Sequence, residues 1–225
     1  MGEKIINLNF TLKGNSKMSE ITKGKFIVFE GLDGSGKGTQ ICLLQKKLLE
    51  DGRAVVLTAE PTESTLGGII RDALAGDPAR SPSELASLFV SDRIRHCQDP
   101  KKGIKAMLDA GKDVICDRYY FSSFAYQGID TDLDWVMKMN LDCPETLTPD
   151  VCIFLDVDPD ICMQRIDSSR AFVEIYEKAS TLARIRNRFF DVFERLGDRE
   201  NIKIVDAARS SEEIADDIYK IVAKL

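Results

Sequence analysis

The sequence is poor in several features on which common catalytic and membrane functions depend. Its 225 residues include one histidine and one tryptophan. With His96 as the only histidine, a histidine-based triad elsewhere in the chain is excluded, and a lone histidine is more often structural than catalytic. No apolar run approaches ~18 residues, so the sequence predicts no membrane-spanning helix.

The charge balance is acidic, with a formal net charge of −6 at pH 7. Proteins whose main partner is a nucleic-acid polymer usually present a net basic face, so this composition argues against such a partner. A small anionic ligand is still compatible with it, because that ligand needs only a local cluster of arginine and lysine.

The six cysteines lack the spacing of a zinc or redox site, since none forms a C-x-x-C pair. Several lie in apolar stretches, where a free cysteine behaves as a small hydrophobic residue. We therefore expect reduced cysteines in a cytoplasmic protein.

Strand-like and helix-like segments alternate through most of the chain, which is typical of a parallel α/β sheet. No linker or repeat divides residues 23–225, so we expect a single domain there. The preceding residues 1–22 begin MGEKIINLNF, a poor signal peptide, and we expect a flexible N-terminal extension. Helix starts are predicted after the capping residues Ser81, Asp158 and Ser210. The predicted strands are 25–30, 53–59, 112–117, 151–156 and 202–206.

Residues 26–40, FIVFEGLDGSGKGTQ, carry the clearest functional signal. An apolar strand leads into a glycine-rich turn that ends in Lys37 and opens a helix, which is the context of a phosphate-binding loop. Backbone N–H groups in such a loop converge on phosphate oxygens, and the helix N-terminus adds partial positive charge. We expect Lys37 to reach the outer phosphates of a nucleotide. The predicted nucleotide-binding residues are Gly31, Leu32, Asp33, Gly34, Ser35, Gly36, Lys37, Gly38 and Thr39.

The residue after the loop lysine departs from the usual pattern. That position commonly holds serine or threonine, whose hydroxyl binds Mg²⁺, but here it is Gly38, followed by Thr39. Because Mg²⁺ readily keeps several waters, nucleotide oxygens and water can supply most of its ligands. We expect Thr39 and a carboxylate, Asp117, to help hold the ion, in part through water.

Asp117 and Arg118 follow directly after a predicted buried strand. Ligands of open α/β sheets bind beyond the carboxyl ends of the strands, so both residues should face the same crevice as Lys37. Arg118 could clamp a phosphate there, and Asp117 could orient water on Mg²⁺. The alternative is a buried structural ion pair.

Phe89 and Arg93 are four residues apart on one face of a predicted helix. A ring and a guanidinium side by side suit a flat base, through stacking and hydrogen bonds. Core packing of Phe89 is the alternative.

Arginines recur between residues 165 and 188. Arg165 and Arg170 flank a short polar stretch that could fold over bound phosphates as a lid, at about residues 163–175. Arg184, Arg186 and Arg188 are interpreted as a solvated helix face.

Together these residues resemble the thymidylate kinase family of P-loop nucleoside monophosphate kinases. The resemblance rests on GLDGSGKGTQ at 31–40, Glu60-Pro61, Phe89 with Arg93, and DRYYFSSFAYQG at 117–128. It implies a three-layer α/β fold with a five-stranded parallel sheet, helices on both faces and a small lid. It further implies a homodimer that transfers a phosphoryl group from ATP, with Mg²⁺, to dTMP in dTTP biosynthesis.

The resemblance also implies roles for individual residues of this chain. Phe89 is expected to stack on thymine and Arg93 to reach its O4, within a substrate site that includes Glu60 and Pro61. Asp33 is expected to lie near the sugar 3′-hydroxyl, Tyr126 near the 2′ position of the sugar, and Arg118 is expected to bind the acceptor phosphate. Ser122, Ser123 and Gln127 are expected to lie near the base. Arg165 and Arg170 are expected to contact the transferred group.

Three positions depart from the family pattern. Ala59 stands where many members have an arginine before the Glu-Pro pair, and we expect Arg71 to supply the missing charge to the acceptor phosphate. Gly34 stands where some members carry an arginine, which agrees with catalytic arginines in the lid. The Gly38-Thr39 pair is more similar to adenylate kinase.

Other functions stay open from the sequence alone. The Gly38-Thr39 pair is compatible with a kinase for AMP, CMP or UMP. A deoxynucleoside kinase would need a general base for a neutral hydroxyl group. A nucleotide-binding switch without transferase activity would need only one nucleotide site, whereas the base-shaped group around Phe89 and Arg93 predicts a second.

Overall fold

A computed structural model describes residues 22–167 and 179–225 of the chain. Within them, five strands form one sheet in the order β2-β3-β1-β4-β5, and every pairing is parallel. The predicted five-stranded parallel sheet is therefore confirmed. The strands are β1 (Phe26–Gly31), β2 (Val55–Ala59), β3 (Asp113–Asp117), β4 (Val151–Asp156) and β5 (Ile202–Asp206).

Helices connect the strands, as parallel pairing requires. The described helices are α1 (Lys37–Glu50), α2 (Thr65–Leu74), α3 (Pro82–Gln98), α4 (Ile104–Asp109), α5 (Tyr120–Asp130), α6 (Leu133–Leu141), α7 (Pro159–Asp167), α8 (Ala179–Leu196) and α9 (Ser211–Val222), with a short 3-10 helix at Gly197–Arg199. Of these helices, none is both long and apolar enough to cross a membrane.

The three predicted helix starts are correct. Ser81 accepts a hydrogen bond from the Glu84 N–H at the start of α3, and Ser210 forms a reciprocal capping box with Glu213 at the start of α9. Helix α7 begins at Pro159, directly after Asp158.

Burial divides the sheet into a closed centre and two open edges. The side chains of β1 are buried throughout, and those of β3 and β4 are buried except for the last residue of each strand. This is the pattern of parallel strands that are covered by helices on both faces. Strand β4 supports α8 through aromatic contacts, with ring centroids 4.8 Å apart for Phe154–Phe189 and 5.1 Å apart for Phe154–Phe193. All six cysteines are free, and four of them are buried.

The strand order brings the two predicted polar groups together. Strand β3 lies directly beside β1, with Phe29 opposite Asp117, and the Arg118 N–H donates to the Phe29 carbonyl at 2.9 Å. The end of β3 therefore adjoins the turn that follows β1. Residues 1–21 and 168–178 lie outside the described part of the chain, and with them Arg170, most of the predicted lid and nearly all of the predicted extension.

Candidate active site

The turn between β1 and α1 approaches the neighbouring elements so closely that it needs glycine. Gly34 has a φ of 78°, and a Cβ atom added there would lie 2.5 Å from the Cys162 carbonyl oxygen of α7. Gly36, with a φ of 94°, is the N-cap residue of α1. Helix α7 therefore packs against the backbone of the turn, and no side chain, an arginine included, fits at position 34 in this arrangement.

Lys37 is buried at the start of α1 and folds back along the turn. Its Nζ donates to the carbonyl oxygens of Gly31 at 3.2 Å and Leu32 at 3.1 Å. Burial, followed by the nearby charge of Arg118, lowers the pKa of Lys37, and neighbouring carboxylates oppose this shift. The ammonium group is thus held within the turn by weak acceptors that phosphate oxygens can replace.

Arg118 follows β3 and points across the turn. Among the described residues it is the only one other than glycine with a positive φ, 67°. Its Nη2 donates to Asp33 Oδ1 at 2.9 Å, its Nη1 donates to Ser122 Oγ at 3.0 Å, and its guanidinium lies 5.0 Å from the Tyr126 ring centroid. Burial works against the charge, but Asp33 and other acidic neighbours raise the pKa of Arg118 well above its usual value.

Glu30 is a site residue that was not predicted from the sequence. Its fully buried carboxylate accepts hydrogen bonds from the N–H groups of Tyr119 at 2.9 Å and Ser122 at 3.0 Å, and from Ser122 Oγ at 2.6 Å. Burial raises the pKa of Glu30, although Arg118 and these hydrogen bonds oppose the shift. Glu30 thereby fixes the start of α5 beneath Arg118. The available signal was a charged residue at the end of an otherwise apolar strand.

Arg93 lies on α3 with its guanidinium buried, 1% exposed. Its Nε donates to Glu60 Oε2 at 2.9 Å, its Nη2 donates to Ser123 Oγ at 3.1 Å, and its Nη1 donates to Asn140 Oδ1. The guanidinium also lies 5.2 Å from the centroid of the Tyr119 ring. Four side chains therefore fix the orientation of Arg93, one after β2, one before α5, and one each from α5 and α6.

The cavity between these groups, here called the central cavity, has a volume of about 390 Å³. It contains both sequence-predicted groups, because Lys37 and Arg118 line it together with Phe89 and Arg93. Arg71 reaches it from α2, where its Nη1 donates to the carbonyl oxygens of Pro61 at 3.2 Å and Thr62 at 2.7 Å. The other predicted residues that line it are Asp33, Glu60, Pro61, Asp117, Ser122, Tyr126 and Gln127.

Ser123 and Phe89 differ from the other predicted residues in their position relative to the central cavity. Ser123 is buried behind Arg93 and is not part of the cavity lining. Phe89 is half-buried and borders a small apolar cluster of Ile70, Ala73 and Leu85. The Phe89 ring packs against this cluster and also lines the central cavity, so its position is compatible with core packing and with stacking on a base.

A second depression, here called the loop cavity, lies on the other side of the turn and has a volume of about 280 Å³. It is lined by Ser35, Gly36, Thr39, Gln40, Arg165, Ala207, Arg209, Ser211 and Ile214. Arg165 Nη1 donates to the Gly34 carbonyl at 3.3 Å, so this arginine lies against the turn. No role for Arg209 was predicted from the sequence, because nothing local indicates that the loop after β5 adjoins residues 35–40.

The two predicted metal residues do not line a common cavity. Thr39 lines the loop cavity, whereas Asp117 lines the central cavity and, with Gly38, a third cavity of about 750 Å³ at the β2 edge. The Asp117 Oδ1 atom is buried and has no hydrogen-bond partner among the described residues. A Cβ atom added at Gly38 would meet no atom of the described residues within 4 Å. A buried carboxylate oxygen without a partner, on a residue that lines a cavity together with Gly38, fits a hydrated Mg²⁺.

One of the arginines that were interpreted as solvated is paired. Arg186 of α8 makes two hydrogen bonds to Asp156, from Nε to Oδ1 at 2.6 Å and from Nη2 to Oδ2 at 2.8 Å. The hydrogen bond to Asp156, followed by the charge of that carboxylate, raises the pKa of Arg186 despite an opposing effect of desolvation. This pair fastens α8 to the carboxyl end of β4.

Comparison with known proteins shows the family to which the chain belongs. The family model described as thymidylate kinase matches residues 29–218. Three archaeal proteins named "Probable thymidylate kinase" are similar over most of their length. The protein from Pyrococcus horikoshii is 36% identical over 206 residues, 89% of this chain and 96% of that protein. The protein from Thermococcus onnurineus is 38% identical over 88% of this chain and 96% of that protein. The protein from Methanocaldococcus jannaschii is 35% identical over 86% of this chain and 93% of that protein. The chain belongs to the thymidylate kinase family.

Proposed function

We propose that the central cavity binds dTMP and that the loop cavity receives the nucleoside part of ATP, with the phosphate-binding turn between them. Family membership makes the protein an ATP-dependent dTMP kinase, which yields dTDP and ADP. The observation that carries the assignment of the site is the central cavity itself. It joins Phe89 and Arg93, which suit a base, to Arg118, which suits a phosphate, beside Lys37.

The turn would hold the donor phosphates. When they bind, their oxygens would replace the carbonyls of Gly31 and Leu32 as partners of Lys37. The loop N–H groups and the N-terminus of α1 would add further donors. Arg209 would stabilise the donor nucleoside from the far wall of the loop cavity.

The acceptor phosphate would bind Arg118, with Arg71 as a second cation at the mouth of the cavity. Asp33 and Ser122 orient the Arg118 side chain before dTMP binds, so binding would cost little side-chain entropy. The attacking phosphate oxygen is already ionised, so no general base is needed. Positioning and charge neutralisation would then supply most of the rate enhancement.

The sugar and base would be held deeper in the cavity. Asp33 would bind the 3′-hydroxyl, and Tyr126 would occupy the space that a 2′-hydroxyl needs. Phe89 would stack on thymine and Arg93 would donate to O4, while Glu60, Pro61, Ser122 and Gln127 would line the pocket and Ser123 would support Arg93.

Arg165 and Arg170 would neutralise charge that develops on the transferred group. Mg²⁺, when bound, would neutralise donor phosphate charge. Asp117, whose Oδ1 has no hydrogen-bond partner among the described residues, would hold part of its water shell, and Thr39 would contribute from the loop side. We also propose a homodimer, on the family resemblance alone, and a cytoplasmic location, which the six free cysteines favour.

The assay that tests this function measures ADP release with ATP and Mg²⁺ against dTMP, dUMP, UMP, CMP, AMP and GMP. We expect strong preference for dTMP, and for dUMP over UMP. Turnover of AMP or CMP instead would show a kinase for another monophosphate. A folded, ATP-binding protein that turns over none of them would contradict the enzyme assignment and favour a nucleotide-binding switch.

A further inference from the structure

The only histidine of the chain lies behind the part of the central cavity that is proposed to bind the base. His96 is on α3, three residues after Arg93, so the two side chains emerge on one face of the helix. It is 8% exposed and lines the cavity at the β2 edge rather than the central cavity. His96 therefore does not reach the proposed dTMP site directly.

A continuous line of hydrogen bonds joins His96 to Arg93 through Glu60. The two oxygens of the Glu60 carboxylate are divided between them, with Oε2 accepting from Arg93 Nε at 2.9 Å and Oε1 lying 2.9 Å from His96 Nδ1. On its other side, His96 Nε2 lies 2.6 Å from the hydroxyl of Thr58 on β2. Glu60 and Arg93 are both buried, at 4% and 1% exposed.

We infer that His96 is a positioning residue for base recognition: its Nδ1–H holds Oε1 of Glu60, so that Glu60 presents only Oε2 to Arg93. This inference rests on the proposed function, in which Arg93 donates to O4 of thymine. Arg93 Nε and Nη2 lie 2.9 and 2.7 Å from Oε2 of Glu60, Nη2 also donates to Ser123, and Nη1 donates to Asn140. Of the five N–H groups of the guanidinium, one on Nη1 is therefore left for a ligand.

Removing the Nδ1–H donor would change this arrangement in a defined way. Oε1 of Glu60 would become a buried acceptor without a partner, which is unfavourable. The adjacent guanidinium can satisfy it by turning into two-point pairing with the carboxylate, the geometry that arginine and carboxylate prefer. Nε and Nη2 of Arg93, which now share Oε2, would then face separate oxygens of Glu60, and the turned guanidinium would lose its alignment with the base.

The expected effect is on the choice of base rather than on phosphoryl transfer. A fixed N–H donor favours the O4 carbonyl of dTMP and opposes the 4-amino group of dCMP, which is itself a donor. A loosened Arg93 would bind dTMP less well and would oppose dCMP less. The proposed contacts of ATP and of Arg118 lie elsewhere and would be unaffected.

Two substitutions separate the ring nitrogens. His96→Asn keeps an N–H group near the Nδ1 position, facing Glu60, whereas His96→Gln places its amide near the Nε2 position, facing Thr58. For both full-length variants, kcat and KM would be measured with dTMP, dCMP and ATP, and melting temperature would report folding. Thr58→Val, which removes only the Nε2 contact, serves as the matched control. If the glutamine variant fails to fold, His96→Leu replaces it with the same expectation.

We expect His96→Gln to raise KM for dTMP about 10-fold and to lower the preference for dTMP over dCMP about 10-fold, as the loss of one well-placed hydrogen bond does. Its kcat and its KM for ATP should change by less than about 3-fold, and His96→Asn and Thr58→Val should stay within about 3-fold of the wild type throughout. Unchanged discrimination in a folded His96→Gln protein, or equal losses in both His96 variants, would overturn the inference. A wild type that uses dCMP as well as dTMP would instead overturn the proposed role of Arg93.

Discussion

The central cavity and the loop cavity lie on opposite sides of the same turn, but they hold their charged groups differently. In the central cavity, Arg93 is 1% exposed and Arg118 is held by Asp33 and Ser122 before any ligand binds. In the loop cavity, Arg165 and Arg209 are exposed, and much of the lining is backbone and small side chains. On the proposed function, we therefore expect acceptor selectivity to depend on a buried network of hydrogen bonds and the donor to be held mainly through its phosphates.

The largest effect should come from removing the cation that faces the acceptor phosphate. Arg118→Ala should lower kcat/KM for dTMP by at least ~10²-fold, because this guanidinium is already oriented in the cavity and no other described cation is held in that place. Steady-state kinetics with dTMP and ATP measures the loss. Arg195→Ala, which removes an exposed arginine paired with Asp134 on the surface, is the control and should keep wild-type activity. An Arg118→Ala protein with near-normal activity would contradict the assignment.

The next largest effect should come from removing the negative charge of Glu30, which attracts the Arg118 guanidinium. Glu30→Gln should lower kcat about 10-fold, because a neutral amide attracts the guanidinium less and cannot accept all three hydrogen bonds equally well. The variant should fold, since glutamine matches the shape of glutamate. Activity equal to that of the wild type would show that Glu30 only stabilises the fold.

The pH dependence of kcat is a second test of the role of Glu30. Burial raises the pKa of Glu30, so the carboxylate takes up a proton at a higher pH than an ordinary glutamate, whose pKa is about 4.3. In the wild type, kcat should therefore fall on the acid side from a pH above that range. The dTMP phosphate titrates with a pKa of about 6 and contributes its own limb. Glu30→Gln should remove the Glu30 contribution and keep that of the phosphate, so identical wild-type and variant profiles would contradict the role.

Tyr126 is the residue proposed to exclude a 2′-hydroxyl, and its substitution tests whether it sets the preference for deoxyribose. Tyr126→Ala should lower the preference for dUMP over UMP about 10-fold, because the ring no longer fills the space for a 2′-hydroxyl. Some loss of kcat should accompany it, since the ring also covers the Arg118 guanidinium at 5.0 Å. Tyr126→Phe keeps the ring and should keep the preference. Equal preference in the alanine variant and the wild type would place the sugar filter elsewhere.

The smallest effect is expected in the loop cavity. Arg209→Ala should raise KM for ATP about 3-fold and leave KM for dTMP unchanged, because the side chain is exposed and already shared with Asp217 at 2.9 Å. Kinetics with each substrate in turn measures the two constants. An effect as large as that of Arg118→Ala would show that the donor side is as rigidly organised as the acceptor side.

The sequence predicted those parts of the molecule that depend on local pattern. The sheet, the phosphate-binding turn and the helix starts at Ser81 and Ser210 follow from apolar periodicity and from residues within a few positions of one another. The end of β3 beside Lys37 was also predictable, because parallel strands direct their carboxyl ends to one edge of the sheet.

What the sequence did not predict depends on contacts between distant segments. Glu30 is 89 residues from Tyr119 and 92 residues from Ser122 along the chain. It accepts hydrogen bonds from their N–H groups only because β3 pairs with β1. The division of Glu60 between Arg93 and His96 likewise requires α3 to lie against the end of β2. A lone histidine in a helix carries no pattern that reveals such a partner.

The central claim is that the acceptor site is complete before ATP binds, and equilibrium binding of dTMP to the protein without ATP tests it most directly. Calorimetric titration should give one dTMP site per chain, with clearly weaker binding of UMP and dCMP. It should also give loss of dTMP binding in Arg118→Ala. Absence of dTMP binding until ATP is added, or equal affinity for the three monophosphates, would contradict the claim that Arg93, Arg118 and their buried partners form the selective site in advance.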